Sequence, residues 1–537
     1  MKIHISVLFC MLFALGMYAQ GDSIVFAEMP NGTPLKAGYM DLEGQGYALS
    51  FSPDGYLLGV RVCDKGGNNG NEWKLCMYDA HTRQMLWERA TGFPAPNIFF
   101  SMANHRSMSL MDEGVYEDKS MVWTQQGLLL VEGNTLKMID PRTQQEKWKG
   151  RLALLLVDDT LDIAVGYKNN ISNKLCALRL STGEKLWELK VPYDKSWGWD
   201  NVKRVDKTSL LVVNNDISLI NLVTGKRKIH RVRTGYVEVG KALAQSFALG
   251  LTGGIVGGMT GYAVYYVPGA GNYMVTRLNS NIYQKGEHYY VSDRDSLFCF
   301  DKYLHTVWSY GFDRKALGAA QLFSKGDTLY LFNKGYGVRG NGSKKLLGIP
   351  SLSSFDVTTG KLYRTTCYTA EKKLLQDDAV SPEGMFLVFE DTLTYQTPGN
   401  NEVCMQAWNM QAYGRVGMVL HDTVYAIGAN DEAFIPLCSS ENSYVVGTDK
   451  GKVFRVNGDL KITNDYLAHH FYRVCQRYGD YCFVRNIEKK VQDFRLIRST
   501  GEKIGHVTLK VQAAEMHDGV LFLLCDSNLI FINTRRF

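Results

Sequence analysis

Few side chains in this sequence are spaced for chemistry. His469 and His470 are adjacent, but neighbours on a strand point to opposite faces and cannot share a metal ion. Residues 64–72 bring together Asp64, Asn68, Asn69, Asn71 and Glu72, oxygen ligands of the kind calcium takes. Their spacing is not that of a calcium loop, and with three glycines among them they read as a long solvated hairpin turn. Residues 339–345 hold Arg339, Lys344 and Lys345, a basic surface loop able to meet anionic lipid or polysaccharide. There is no His-Glu-x-x-His, Gly-x-Ser-x-Gly or phosphate-loop motif. The sequence therefore nominates no catalytic residue, no metal ligand and no cofactor.

What the residues do spell out is a repeat. Asp79, Thr82 and Trp87 recur as Asp140, Thr143 and Trp148, and Thr182 and Trp187 keep the same five-residue interval. Trp308 ends a copy one residue shorter, which begins at Asp301. Weaker copies carry Thr224-Gly225, Thr359-Gly360 and Thr500-Gly501. Each copy is an alternating strand, a polar turn and a second strand. An Asp or Asn at the strand end bonds turn amides through its side chain, and the glycine supplies a residue free to take positive φ. Trp87, Trp148, Trp187 and Trp308 are expected to fill the gaps between neighbouring units. Copies roughly 40 to 60 residues apart match four-stranded propeller blades.

The turn pattern Asp-x-x-Thr-Gly-x-x-x-Trp resembles the PQQ-like repeat of quinoprotein-alcohol-dehydrogenase-like propellers. The run from Tyr47 through Phe51, Pro53 and Asp54 to Gly55 is similar to a WD40-type blade opening. The resemblance implies an all-β fold, a single propeller of about eight blades (seven to ten). Quinoprotein enzymes of that kind need an adjacent cysteine pair beside the cofactor. None exists here, so the resemblance implies the fold without the cofactor. Trp197 and Trp199 echo tryptophan-rich stretches of those enzymes but suit blade packing better.

Composition agrees with a strand-rich fold: 45% hydrophobic residues, 30 Tyr and 24 Phe against 12 Pro. A net charge of +6 with scattered basic residues leaves no nucleic-acid footprint. Residues 1–19 read as a signal peptide: Lys2, an apolar run, then Ala19 before polar residues. Its Tyr18-Ala19-Gln20 ending resembles signal peptides of the Bacteroidetes, which implies an exported protein of the periplasm or cell surface. The propeller is expected over 23–537, with a strand at residues 23–27 completing the last blade and hiding both edges. Cys76, Cys176 and Cys299 fall at equivalent repeat positions and read as small buried residues. Cys475 and Cys482, flanking a turn, are the best placed pair for a disulfide.

One segment breaks the pattern. Residues 242–276 hold no charge. Gly250, Gly254 and Gly258 are four apart, as are Gly253, Gly257 and Gly261. On a helix the two rows form a smooth glycine-zipper face suited to a membrane or a partner helix. Repeat copies on both sides argue against a single crossing, so residues 242–267 read either as an apolar excursion packed on the ring or as a peripheral membrane or partner contact. Taken together, the sequence points to a non-catalytic envelope scaffold that presents a propeller face to protein or glycan partners. The alternative is an enzyme with its site over the central channel, a degenerate quinoprotein or a hydrolase.

Overall fold

The computed structural model describes residues 23–28, 32, 34–64, 72–92, 120–169, 172–191, 199, 201–214, 216–237, 274–312, 317–339, 342–420, 424–427, 434–437, 443–465, 470–487, 493–507 and 511–533. The signal-peptide region 1–19, the glycine-zipper segment 242–267, His469 and Trp197 lie outside them.

The described residues form an all-β ring of antiparallel four-stranded blades. Eight are separate sheets, here blades 1 to 8 at 45–91, 121–151, 153–190, 201–231, 283–311, 320–367, 377–407 and 416–465. Two more, blade 9 (470–507) and blade 10 (511–533 with 34–41), belong to one continuous eleven-stranded sheet. Ten blades is the upper end of the range the repeats predict.

Each blade shares an apolar cluster with the next. Blade 2 meets blade 3 through Val122, Trp148, Cys176 and Leu178. Blade 4 meets blade 5 through Val213, Ile217, Tyr289 and Phe300. Blade 10 returns to blade 1 through Leu524, Leu529, Val60 and Cys76, so the row of clusters closes on itself. The closing strand is Pro34–Asp41, paired to Asn528–Asn533. The more N-terminal strand Ser23–Glu28 instead bridges that strand to the outer strand of blade 9, matching Glu28 with His506. The outer edge of the last blade is paired, and the strand that completes that blade lies further along the chain than residues 23–27.

The repeated turn has one design. Asp79 Oδ1 accepts hydrogen bonds from the amides of His81 and Thr82 and from the Thr82 hydroxyl. Asn221 and Asp356 bind their turns the same way. Blade 3 carries Arg179 at this place. There Asp162, from the turn between the first two strands, reaches across to the amide and hydroxyl of Ser181 at 2.9 and 2.6 Å. The chain then turns through a left-handed residue, Gly183 in blade 3 at φ 73°.

The tryptophans lie at the junctions between blades. Trp87 Nε1 donates to Pro141 O at 2.9 Å, Trp148 to Leu180 O at 2.6 Å, Trp187 to Leu222 O at 2.7 Å and Trp308 to Val357 O at 3.3 Å. Each acceptor is the first residue after the turn-capping position of the next blade. A Cβ on Gly183 would lie 2.7 Å from the Trp148 ring, so glycine there serves the contact as well as the backbone angle. Between blades 8 and 9 the donor changes: Tyr425, on an extra strand Val424–Ile427, donates its hydroxyl to Ser499 O at 3.2 Å. That extra strand pairs with the inner edge of blade 9.

Trp199 is buried and donates to the Tyr167 hydroxyl at 2.9 Å within the core between blades 3 and 4. Cys76, Cys176, Cys299 and Cys482 are buried free thiols. The Cys475 side chain lies outside the described residues.

Candidate functional site

In an antiparallel meander the connections alternate between two faces. The repeated turns crowd one face, and the opposite face carries the links between blades and the turns after each second strand. On this second face, between blades 4 and 5, the chain makes an excursion through Tyr236–Val237 and returns as Met274–Thr276. The two segments pair antiparallel, Val237 against Met274, so the chain leaves and returns at one point. The glycine-zipper segment lies between them in sequence.

Blade 6 contributes the other half of the structure. Between its second and third strands it inserts the hairpin Tyr336–Arg339 and Lys344–Leu346. Val275 pairs with Arg339 and Thr276 with Val338, which joins the two excursions into one lateral four-stranded sheet. Gly337 permits the close approach: a Cβ there would sit 2.5 Å from Val275 Cγ1 and 2.7 Å from Leu278. The fold thus makes neighbours of two features that read as unrelated in the sequence, the stem of the glycine-rich segment and the basic loop 339–345.

The basic side chains of that loop have structural partners. Lys344 Nζ reaches the carbonyls of Leu375 and Gln376 at 2.9 and 2.6 Å and lies 4.5 Å from the centre of the Tyr336 ring. Burial lowers its pKa. Lys345 faces the Tyr236 ring at 5.8 Å. Lys334 Nζ pairs with Asp378 Oδ2 at 2.7 Å. Burial opposes the Lys334 charge, yet the neighbouring carboxylate leaves its pKa above the ordinary value. Asp377 next door is pushed up by burial.

Beside the lateral sheet, between blades 5 and 6, lies a cavity of 770 Å³. Its apolar lining comes from Phe312 and Leu317 in the link between the blades and from Leu346, Leu347 and Ile349 on the way back into blade 6. Tyr236 adds an aromatic edge. Ser351, Ser353 and Thr365 supply hydroxyls, and the last two bond each other at 2.9 Å. Arg294 and Lys372 bring positive charge. The Arg294 guanidinium sits 5.0 Å from the centre of the Tyr236 ring and 3.9 Å from Asp295, whose other oxygen is held by Arg233 at 2.9 Å. Lys372 is exposed, with no ion pair or hydrogen bond among the described residues. No sequence signal marks these residues as a set, because they come from stretches of chain scattered between residues 236 and 372.

Elsewhere, His470 is an exposed residue at the start of the inner strand of blade 9. Asp64 and Glu72 face each other across a strand pair, the loop between them lying outside the described residues. Among the described residues no group of three or more His, Cys, Asp or Glu is arranged to hold a metal ion, and no helix is long and apolar enough to cross a membrane.

No family model matches the sequence, and no curated protein does. Solved structures similar to the chain include BamB from Moraxella catarrhalis, at 10% identity over 76% of this chain and 95% of that one, TM-score 0.26. The Cps50 (Swd1) β-propeller domain of Myceliophteria thermophila aligns at 9% identity over 77% and 96%, TM-score 0.28. A eukaryotic initiation factor aligns at 9% over 90% and 94%, TM-score 0.34. The fold assignment rests on the sheet topology described above.

Proposed function

We propose that this chain is an exported, non-catalytic scaffold of the cell envelope that presents the lateral-sheet face of its ring to a protein or glycan partner. One observation carries the reading: excursions from two separate places in the ring merge into a sheet beside a large cavity, on the face away from the repeated turns. The blades close through their own clusters without that sheet, and a sheet held at two points of the ring is suited to serve as a rigid platform for recognition. The glycine-rich segment 242–267 springs from the stem of the same sheet and is the second contact element of the proposal, toward a partner or a membrane surface.

The test is a pull-down from cell envelope with the exported chain, compared with a variant lacking 242–267 in which Tyr236–Val237 and Met274–Thr276 are kept. Circular dichroism establishes that both are folded. Partners captured by the full chain and lost from the variant support docking through this face. Identical captures move the docking site elsewhere on the ring, and no capture by either chain overturns the scaffold reading. Mass spectrometry of the exported protein tests cleavage after residue 19.

A further inference from the structure

We infer that the cavity beside the lateral sheet is a binding site for a single-chain amphiphile with an anionic head, such as a long-chain carboxylate. This goes beyond the scaffold reading and does not depend on it. The volume of 770 Å³ is within the range of sites that enclose small ligands, about 300–1,000 Å³. Its branched apolar lining, with Leu317, Leu346, Leu347 and Ile349, offers an acyl chain dispersion contacts and release of water, while Asn333, Ser351, Ser353 and Thr365 give the lining a polar side.

The charge of the lining selects the head group. Arg294 and Lys372 both reach the cavity, and no carboxylate lines it among the described residues. Arg294 is held in place by Tyr236 and Asp295, so its guanidinium is positioned before a ligand arrives. Lys372 makes no ion pair of its own among the described residues and is available for a carboxylate. A cationic amphiphile would meet like charge, and a neutral one would leave Lys372 without a counter-charge.

The experiment uses the full exported chain, freed of lipid, and displacement of a fluorescent fatty acid below the micellar range. Palmitate should displace the probe. 1-Hexadecanol should do so at least tenfold less well, and hexadecyltrimethylammonium and acetate not at all. Shortening the chain should weaken binding roughly fourfold per methylene removed. Lys372→Ala, an exposed substitution, should weaken palmitate several-fold while leaving 1-hexadecanol unchanged. Leu347→Trp, which narrows the cavity, should weaken both several-fold. Equal binding of palmitate and 1-hexadecanol overturns the inference, and so does unchanged palmitate affinity in Leu347→Trp with an unaltered melting curve. Binding of an acidic peptide but not palmitate also overturns it, while leaving the scaffold reading intact. Palmitate binding by a chain that captures no envelope partner leaves the inference standing and the scaffold reading refuted.

Discussion

Removing Trp148 should change what its neighbouring glycine costs. Trp148 is 8% exposed, packs in the core between blades 2 and 3, and donates its indole N–H to Leu180 O at 2.6 Å. Truncating a buried tryptophan to alanine costs about 3–5 kcal/mol. Gly183→Ala alone places a Cβ 2.7 Å from the same ring at φ 73°. The left-handed backbone costs an L-residue about 1–2 kcal/mol, and the crowding adds about 1–3 kcal/mol. In the Trp148→Ala background the ring is gone and only the backbone cost remains. The double variant should therefore be more stable than the sum of the singles predicts, by about 1–3 kcal/mol. Denaturant unfolding of the four proteins, followed by far-UV circular dichroism, measures this. Blade 2 carries Gln144 at the corresponding place with φ 64°, so a side chain is tolerated beside Trp87. Additive costs at Gly183 would mean that the Trp148 ring yields equally readily, and the crowding argument would fail.

Other expectations follow from the turns and cores. The Asp356 carboxylate is held down at a pKa of about 2 by hydrogen bonds from Tyr363 and Thr359, against roughly 3.9 when unfolded. Its contribution to stability is thus complete above about pH 4 and is lost as pH falls through about 2. Asp356→Asn keeps the turn acceptor, as Asn221 does in blade 4, and should flatten the fall of melting temperature between those limits; equal slopes for the two proteins would refute this. Burial pushes the thiols of Cys76 and Cys299 up to about 11 and that of Cys525 to about 12. Among the described cysteines, only the exposed Cys367 and Cys404 should react with a thiol reagent before unfolding, which mass mapping of the labelled sites would check. Tyr425→Phe removes the hydroxyl bond to Ser499 O and should cost about 1 kcal/mol or more in denaturant unfolding.

The sequence made the architecture legible wherever the turn and the tryptophan occur together, as in blades 1 to 3. Blades 7, 8 and 10 carry neither Thr-Gly nor tryptophan at those places. Blade 8 turns through Asn457 and the left-handed Leu460 instead, so counting motifs gives a range of seven to ten centred on eight, and the described residues form ten. The closing strand was ambiguous for a physical reason: residues 23–28 and 34–41 both pair as strands near the N-terminus, and only pairing with Leu529 to Phe531 separates them. The cavity was not legible at all. Arg294 lies within one turn, Lys372 lies in a link and Ser351 starts a strand, and nothing local distinguishes them from other polar surface residues. The lateral sheet was likewise invisible, because its pairing joins stretches more than 60 residues apart in sequence.

The conserved geometry of the junctions, with its changing donors, has a cause in the turn. The capping residue's own carbonyl is used within the turn, as when Asp79 O accepts from Arg83 N. The carbonyl of the following residue is left without a partner in its own blade, and a buried acceptor without a donor is costly. The neighbouring blade supplies that donor or, at Ser499, the extra strand beside blade 9 does. Any N–H or O–H at the right height will serve, which explains why a tyrosine hydroxyl replaces an indole at Ser499. The cost of losing a tryptophan's N–H should then depend on how many donors its acceptor has. Leu180 O receives Trp148 alone among the described residues, whereas Val357 O receives both Trp308 at 3.3 Å and the Tyr290 hydroxyl at 3.2 Å. Trp148→Phe should therefore destabilise more than Trp308→Phe, by about 1–2 kcal/mol. Tyr290→Phe should raise the cost of Trp308→Phe toward that of Trp148→Phe. Equal costs for the two tryptophans, with no effect of Tyr290→Phe, would show that the rings act by packing alone and that the unpaired carbonyl does not govern the junction.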